Sequence, residues 1–300
     1  MADERRGTGY GVLAYLLWGL FPLYWPLLEP ANAIEILSHR VVWSLLFVVG
    51  LLVARRQWTW VRYYLADRRR IALLATAALV IAVNWAVYIW GVNHDHVVET
   101  SLGYFINPLV SVLMGVFILG ERLRRLQWVA TAIAAVAVLG LAIDYGRPPW
   151  IALTLAISFG TYGLLKKKAN AGALESLTIE TAVLVIPCLT YLVVLGARGS
   201  GDFGHDGIRS ILLIGTGVIT AIPLLAFGAA ATRVPLSTLG LLQYLAPTLQ
   251  FLCGVVVYSE SLPVTRLLGF GVVWVALIVF SYDALRHRRR QHALVPAAVS

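Results

Sequence analysis

Charged side chains are scarce in this chain of 300 residues: Asp, Glu, Lys and Arg make up 13% of it. A soluble domain carries about a quarter, so a fold bathed in water on all sides is ruled out. Hydrophobic residues are 59% and the mean hydropathy is +0.79, which puts some two thirds of the chain in lipid. Cysteine is almost missing. Cys188 and Cys253 both sit inside apolar runs, which argues against a disulfide framework or a metal cluster and reads as two small core residues. The motifs of catalysis are missing too. There is no HExxH, no GxSxG, and no glycine-rich loop followed by Lys and Ser or Thr. The histidines of "NHDH" (93–96) have no cysteine or second acid cluster beside them and read as a solvated loop. Neither a metal nor a cofactor is expected.

Long apolar runs fill the space that charge leaves empty. A bilayer core takes about 20 residues as helix, because lipid cannot satisfy free backbone groups. The chain offers ten such runs, at 9–28, 34–53, 71–91, 98–119, 126–143, 149–166, 176–196, 209–231, 237–258 and 264–283. The first resembles a signal peptide in part, with Arg5 and Arg6 ahead of it and Ala31-Asn32-Ala33 behind. It is longer than the ~7–15-residue apolar region of a signal peptide, however, and reads as a full span. The 10 Trp and 13 Tyr suit helix ends anchored at the interface. Short connections predict that sequence neighbours pack in antiparallel fashion.

The net charge of +9 raises the possibility of nucleic acid, and its distribution answers it. With a cytoplasmic N-terminus, 19 of the 24 Lys and Arg fall in cytoplasmic segments. They cluster at Arg5–Arg6, between 55 and 70, at 122–125, at Lys166–Lys168, at Arg233 and at 286–290. Only Arg147, Arg198, Arg209 and Arg266 fall outside, and Arg40 lies within a span. By the positive-inside rule this bias fixes both termini in the cytoplasm. The basic clusters are orientation signals rather than a nucleic-acid face.

The chain also repeats itself. "PLVSVLMGVFILGERL" (108–123) and "PTLQFLCGVVVYSESL" (247–262) share six of 16 positions, among them Pro108/Pro247, Gly115/Gly254 and Glu121/Glu260. The offset is 139, and an offset of 141 aligns Trp18-Gly19 with Phe159-Gly160. Helices 1–5 therefore correspond to helices 6–10. Five is odd, so the second copy enters the membrane from the opposite side. The expected fold is all-α, ten transmembrane helices as two inverted five-helix repeats, 1–146 and 147–285, followed by a basic cytoplasmic tail, 286–300. In such architectures a binding site lies near the midplane between the halves.

"YLLWGLFPLYW", "ILSHRVVWSLLF", "NWAVYIWGVNHDHVVETSLGYFINPLVSVLMGVFILGERL" and "TAIPLLAFGAAATRVPLSTLGLLQYLAPTLQFL" resemble the RarD group of the EamA branch of the drug/metabolite transporter superfamily. The similarity runs over about residues 10–285. It implies the five-plus-five fold, a bacterial inner-membrane location and a role in transport, and leaves the substrate open. The implied function is a secondary transporter exporting a small metabolite or drug-like solute by alternating access. A lipid-headgroup flippase or a polytopic membrane enzyme is the other reading. With no ATP site, active transport must draw on an ion gradient, protons being the candidate. The partners are then a small solute and membrane lipids.

Polar residues inside spans are costly, so each is a candidate for function. Depth sorts them at about 1.5 Å per helical residue. His39, Arg40, Asn84, Tyr88, Tyr104 and Asn107 fall in one outer layer, and Trp43 shares a face with Arg40. Glu180, Gln243 and Tyr244 fall in an inner layer, with Glu180 the candidate for proton coupling. Pro108 and Pro247 should kink their helices where Tyr104 and Gln243 lie. Each residue also has a structural reading. Arg40 can bind helix-end carbonyls or Glu35, or snorkel outward. Asn84 and Asn107 can be packing glue, and His39 and Glu180 structural hydrogen-bonding groups.

Overall fold

Every regular element among the described residues is helical. In this computed structural model those are residues 2–56, 58–93, 97–144 and 150–257, and beyond them only 264, 268, 269, 271, 272, 274–276, 278, 279, 282 and 283. The order is α1 (Ala2–Gly19), α2 (Ala33–Arg55), the short α3 (Thr59–Ala66), α4 (Arg68–Asn93), α5 (Val97–Leu119), α6 (Arg125–Asp144) and α7 (Trp150–Ala169). Then come α8 (Ala173–Ala197), α9 (Gly207–Ala231), α10 (Leu236–Leu242) and α11 (Leu245–Leu252), with a π-turn at Cys253–Val257. Four stretches are long and apolar enough to cross a membrane: Ala33–Arg55, Arg68–Tyr88, Ala173–Ala197 and Gly207–Ala231. Gly103–Leu119 and Arg125–Gly140 are shorter apolar helices. The chain is a multi-pass membrane protein. The expected tenth span lies largely outside the described residues, as do Glu260, the tail and most of "NHDH".

Local chemistry sets the ends. Asn32 caps α2 by accepting from the Ile34 and Glu35 amides at 3.1 and 3.0 Å. Arg56 closes it in the left-handed region at φ 51°. Asp206 caps α9 through the Arg209 amide at 2.9 Å.

Two expected spans are not single helices. The first, expected over 9–28, is α-helical only to Gly19 and continues as 3-10 turns at Phe21–Leu23 and Trp25–Leu28. Pro22 and Pro26 are the cause, since each lacks an N–H and crowds the carbonyl four residues back. The Trp18 carbonyl, left without a helical donor by Pro22, accepts from Gln250 Nε2 at 3.2 Å. The ninth span breaks at Gln243 and Tyr244 between α10 and α11. Pro247 cannot donate to the Gln243 carbonyl, which accepts from the Ala246 amide at 3.2 Å instead. By contrast α5 runs through Pro108 as one element.

Packing is dominated by contacts between distant segments. α7 lies against α4 and α5, α2 against α8 and α9, α1 against α9 and α11, and α10 against α5. Sequence neighbours also touch, but less extensively than the short connections predict.

In the first copy of the repeated segment the Gly and Glu have a local explanation. The Glu121 amide donates to the Gly115 carbonyl at 3.0 Å. Its carboxylate folds back so far that a Cβ on Gly115 would meet Oε2 at 2.6 Å. From there it accepts from the Leu236 and Ser237 amides at 2.7 and 2.9 Å and from the Ser237 hydroxyl at 2.8 Å. Glu121 therefore caps α10, where free amides and the helix dipole favour an anion. Lys167 Nζ stands 3.9 Å from the same carboxylate and donates to the Val234 carbonyl at 2.6 Å.

Candidate functional site: the cavity around Arg40

Arg40 sits on α2, buried, seven residues into the helix that Asn32 starts. Its Nε donates to Thr220 Oγ1 on α9 at 2.9 Å. The guanidinium carbon lies 4.5 Å from the Trp85 ring centre, 4.9 Å from Trp25 and 6.0 Å from Phe21. Such cation–π contacts contribute about 0.5–1 kcal/mol each when exposed and ~2 or more when desolvated. Among the described residues no carboxylate pairs with it. Glu35, one of the partners considered for it, is engaged elsewhere: its Oε1 accepts from the Asp202 and Phe203 amides at 2.8 and 3.4 Å.

The guanidinium faces a cavity of about 830 Å³, counted with its open side. The wall carries Asn84, Tyr88, Tyr104, Asn107 and Gln243. The Tyr88 and Tyr104 rings meet edge-on at 5.4 Å. Asn84 Nδ2 is held by the Leu155 carbonyl and Ser158 Oγ on α7, both at 2.9 Å, so this amide also acts as glue between helices. Gln243 Nε2 donates to Ser111 Oγ at 3.1 Å. Among the described residues the side-chain oxygens of Asn107 and Gln243 are buried and meet no donor. Depth alone put Gln243 in an inner layer away from Arg40. The break at Gln243 and Tyr244 and the packing of α10 on α5 bring it to the same cavity.

Three of the candidate binding residues lie elsewhere. His39 and Trp43 belong to a cluster under the connection between α8 and α9. Trp43 Nε1 donates to His39 Nδ1 at 3.1 Å, and the Phe203 ring lies 4.9 Å from His39 and 6.1 Å from Trp43. Tyr244 packs in a core with Phe105, Ala130 and Ala134, and its buried hydroxyl has no partner among the described residues. Of the prolines, Pro247 lines the cavity, while Pro108 packs its carbonyl 2.9 Å from where a Cβ on Gly240 would sit.

Glu180, on α8, is ion-paired. Lys166 Nζ donates to its Oε1 at 2.7 Å and to Ser176 Oγ at 2.6 Å, and the Tyr162 hydroxyl donates to its Oε2 at 3.0 Å. Charge counting assigned Lys166 to the cytoplasmic rim, whereas it is 3% exposed. The signal was present in spacing: Tyr162 and Lys166, and Ser176 and Glu180, are each four residues apart on one helix face. Arg40 and Glu180 border a second, narrow void of about 10 Å³ together with Thr181 and Thr220.

Sequence reasoning also passed over the aromatic wall. Trp18, Phe21 and Trp25, at i, i+3 and i+7 of the quoted "YLLWGLFPLYW", line the cavity with Trp85 and Phe159. Among the described residues its lining holds one fixed cation, aromatic faces and amide groups, and no carboxylate or histidine. That composition suits holding a solute better than transferring protons within it.

The EamA-like transporter family matches residues 5–143. Protein RarD of Streptomyces exfoliatus is 58% identical over 99% of this chain and 94% of its own length. An uncharacterized transporter of Pseudomonas aeruginosa is 43% identical over 96% of this chain and 97% of its own. Protein RarD of Escherichia coli (strain K12) is 42% identical over 96% and 98%. A solved crystal structure of 16% identity superposes with a TM-score of 0.70 over 93% of this chain and 98% of the other, a likeness of fold alone. The chain belongs to the RarD proteins of the EamA-like transporter family, whose names point to transport rather than catalysis.

Proposed function

We propose that the chain is a secondary transporter of the bacterial inner membrane, with ten spans in two inverted repeats and both termini cytoplasmic. It moves a small solute outward by alternating access, and the solute carries an anionic group held by Arg40. The observation that carries this reading is a buried guanidinium with no carboxylate among the described residues, facing a cavity walled by aromatic rings. An arginine in a membrane helix costs ~2.5–3.5 kcal/mol on insertion scales. Its planar fork suits a carboxylate or phosphate, which would supply the missing counter-charge.

The helix contacts support the repeat, because they come in exchanged pairs. α1 meets α11 as α7 meets α5, and α1 meets α9 as α7 meets α4. A Cβ on Gly19 would lie 2.6 Å from Leu249 Cβ, and one on Gly160 would lie 2.8 Å from Val110 Cγ1. Gly160 is Gly19 shifted by 141, and Leu249 is Val110 shifted by 139. In this reading Glu121, Lys167 and the start of α10 close the cytoplasmic end, and their separation opens it inward. A proton gradient drives the cycle through Glu180, whose protonation releases Lys166.

The test is a thermal-shift screen of the purified protein with organic anions and their neutral amides, then transport in liposomes with and without a pH gradient. Anions should stabilise the protein and the amides should not. Equal stabilisation by both would refute the anion site.

A further inference from the structure

A third space lies beside the cavity. It is a groove of about 720 Å³, counted with its open side, between the turns after α1 and the middle of α9. Its lining is Leu17, Leu20, Phe21, Leu23, Tyr24, Ile219, Ile222 and Pro223. The one hydroxyl there is satisfied, since Tyr24 donates to the Leu212 carbonyl at 2.5 Å. Leu20 is 45% exposed and Ile222 41%, so the groove opens sideways from a helix that crosses the membrane. Hydrocarbon, not water, bathes that face.

Phe21 lines both the groove and the cavity. Its ring centre is 6.0 Å from the Arg40 guanidinium carbon. Phe21, the residue that the two linings share, belongs to a 3-10 turn where Pro22 has ended the α-helix. A fixed positive charge and an apolar trough thus border on one aromatic ring.

We infer that the molecule this site accepts is a single-chain anionic amphiphile, its charged head on Arg40 and its alkyl tail past Phe21 in the lipid-facing groove. The inference rests on the anion site proposed above and adds the tail and a lateral route to it. Taking a methylene out of water favours binding by ~0.8 kcal/mol, close to fourfold in affinity referred to the aqueous carboxylate.

The experiment uses the full chain in phosphatidylcholine nanodiscs, titrated with alkyl carboxylates from hexanoate to dodecanoate, with empty nanodiscs subtracted. Affinity should tighten by about fourfold per methylene until the groove is filled, and Ile222→Trp should flatten the series. A dodecanoate bearing a terminal diazirine should label Leu20, Ile219 or Ile222 of the unmutated protein, and hexanoate, which reaches only Arg40, should compete it away. This labelling decides the matter should Ile222→Trp fail to insert. A flat series with hexanoate binding that Arg40→Gln abolishes would overturn the inference and leave the anion site standing. Groove labelling that hexanoate does not displace would also overturn it, by marking ordinary bilayer chains. If no carboxylate of any length binds in an Arg40-dependent way, the anion site itself is refuted.

Discussion

Replacing Arg40 separates recognition from architecture, because the structure lets both effects be sized. Arg40→Gln removes one hydrogen bond to Thr220 and the stacking on Trp85 and Trp25. The hydrogen bond contributes about 1.5–3 kcal/mol and each ring about 1–2 kcal/mol. Against this, the variant no longer carries a charge that costs ~2.5–3.5 kcal/mol to hold in the membrane. The difference is a net loss of roughly 0–4.5 kcal/mol, about 2 at the centre, which for a chain of this size is a melting shift of several degrees. Binding reports recognition directly. A bidentate anion loses two charge-assisted bonds, about 3 kcal/mol in all, or on the order of 100-fold in Kd. Arg40→Lys keeps the charge but offers one directed bond where two were made, so about tenfold is expected. The assay is titration of an anion from the thermal-shift screen, beside a thermal melt of each variant. Normal binding by both variants would show that Arg40 is not the recognition residue. Loss of folding in both would show that it is a structural anchor.

Alkaline phosphatase fused at Gly201 should be active and at Lys168 inactive, and the opposite pattern would sink the orientation and the inverted repeat together. Glu180→Gln strands Lys166 in the interior and should destabilise by about 3–5 kcal/mol, read from the thermal melt. Adding Lys166→Met should restore most of that, and the double variant should transport at a rate indifferent to the pH gradient. A full gradient response in the double variant would remove Glu180 from coupling. Glu121→Ala leaves the first amides of α10 without their acceptor and should cost roughly 2–4 kcal/mol. An unchanged melt would mean that water replaces the cap.

Composition and spacing alone settled the class of this protein. So few charges and so many long apolar runs leave only membrane helices, because an unsatisfied backbone in lipid is too costly. The sequence also marked Arg40, Asn84, Tyr88, Tyr104, Asn107 and Gln243, since any polar group at that depth is conspicuous. Aromatic residues such as Trp18, Phe21 and Trp85 escaped notice, because at the membrane a tryptophan is as ordinary facing lipid as facing a cavity. Partnership was beyond reach for the same kind of reason. Depth is one coordinate along a helix, while contact also needs the rotation of the helix and the identity of its neighbour. Those follow from packing between segments far apart in the chain, such as α10 on α5 and α2 on α9. Packing brought Gln243 into the cavity that Arg40 lines, turned His39 and Trp43 toward Phe203 and gave Glu180 its lysine. Lipid forces every span to be a helix, but it is indifferent to which helix meets which, and only the fit of side chains between them makes that choice.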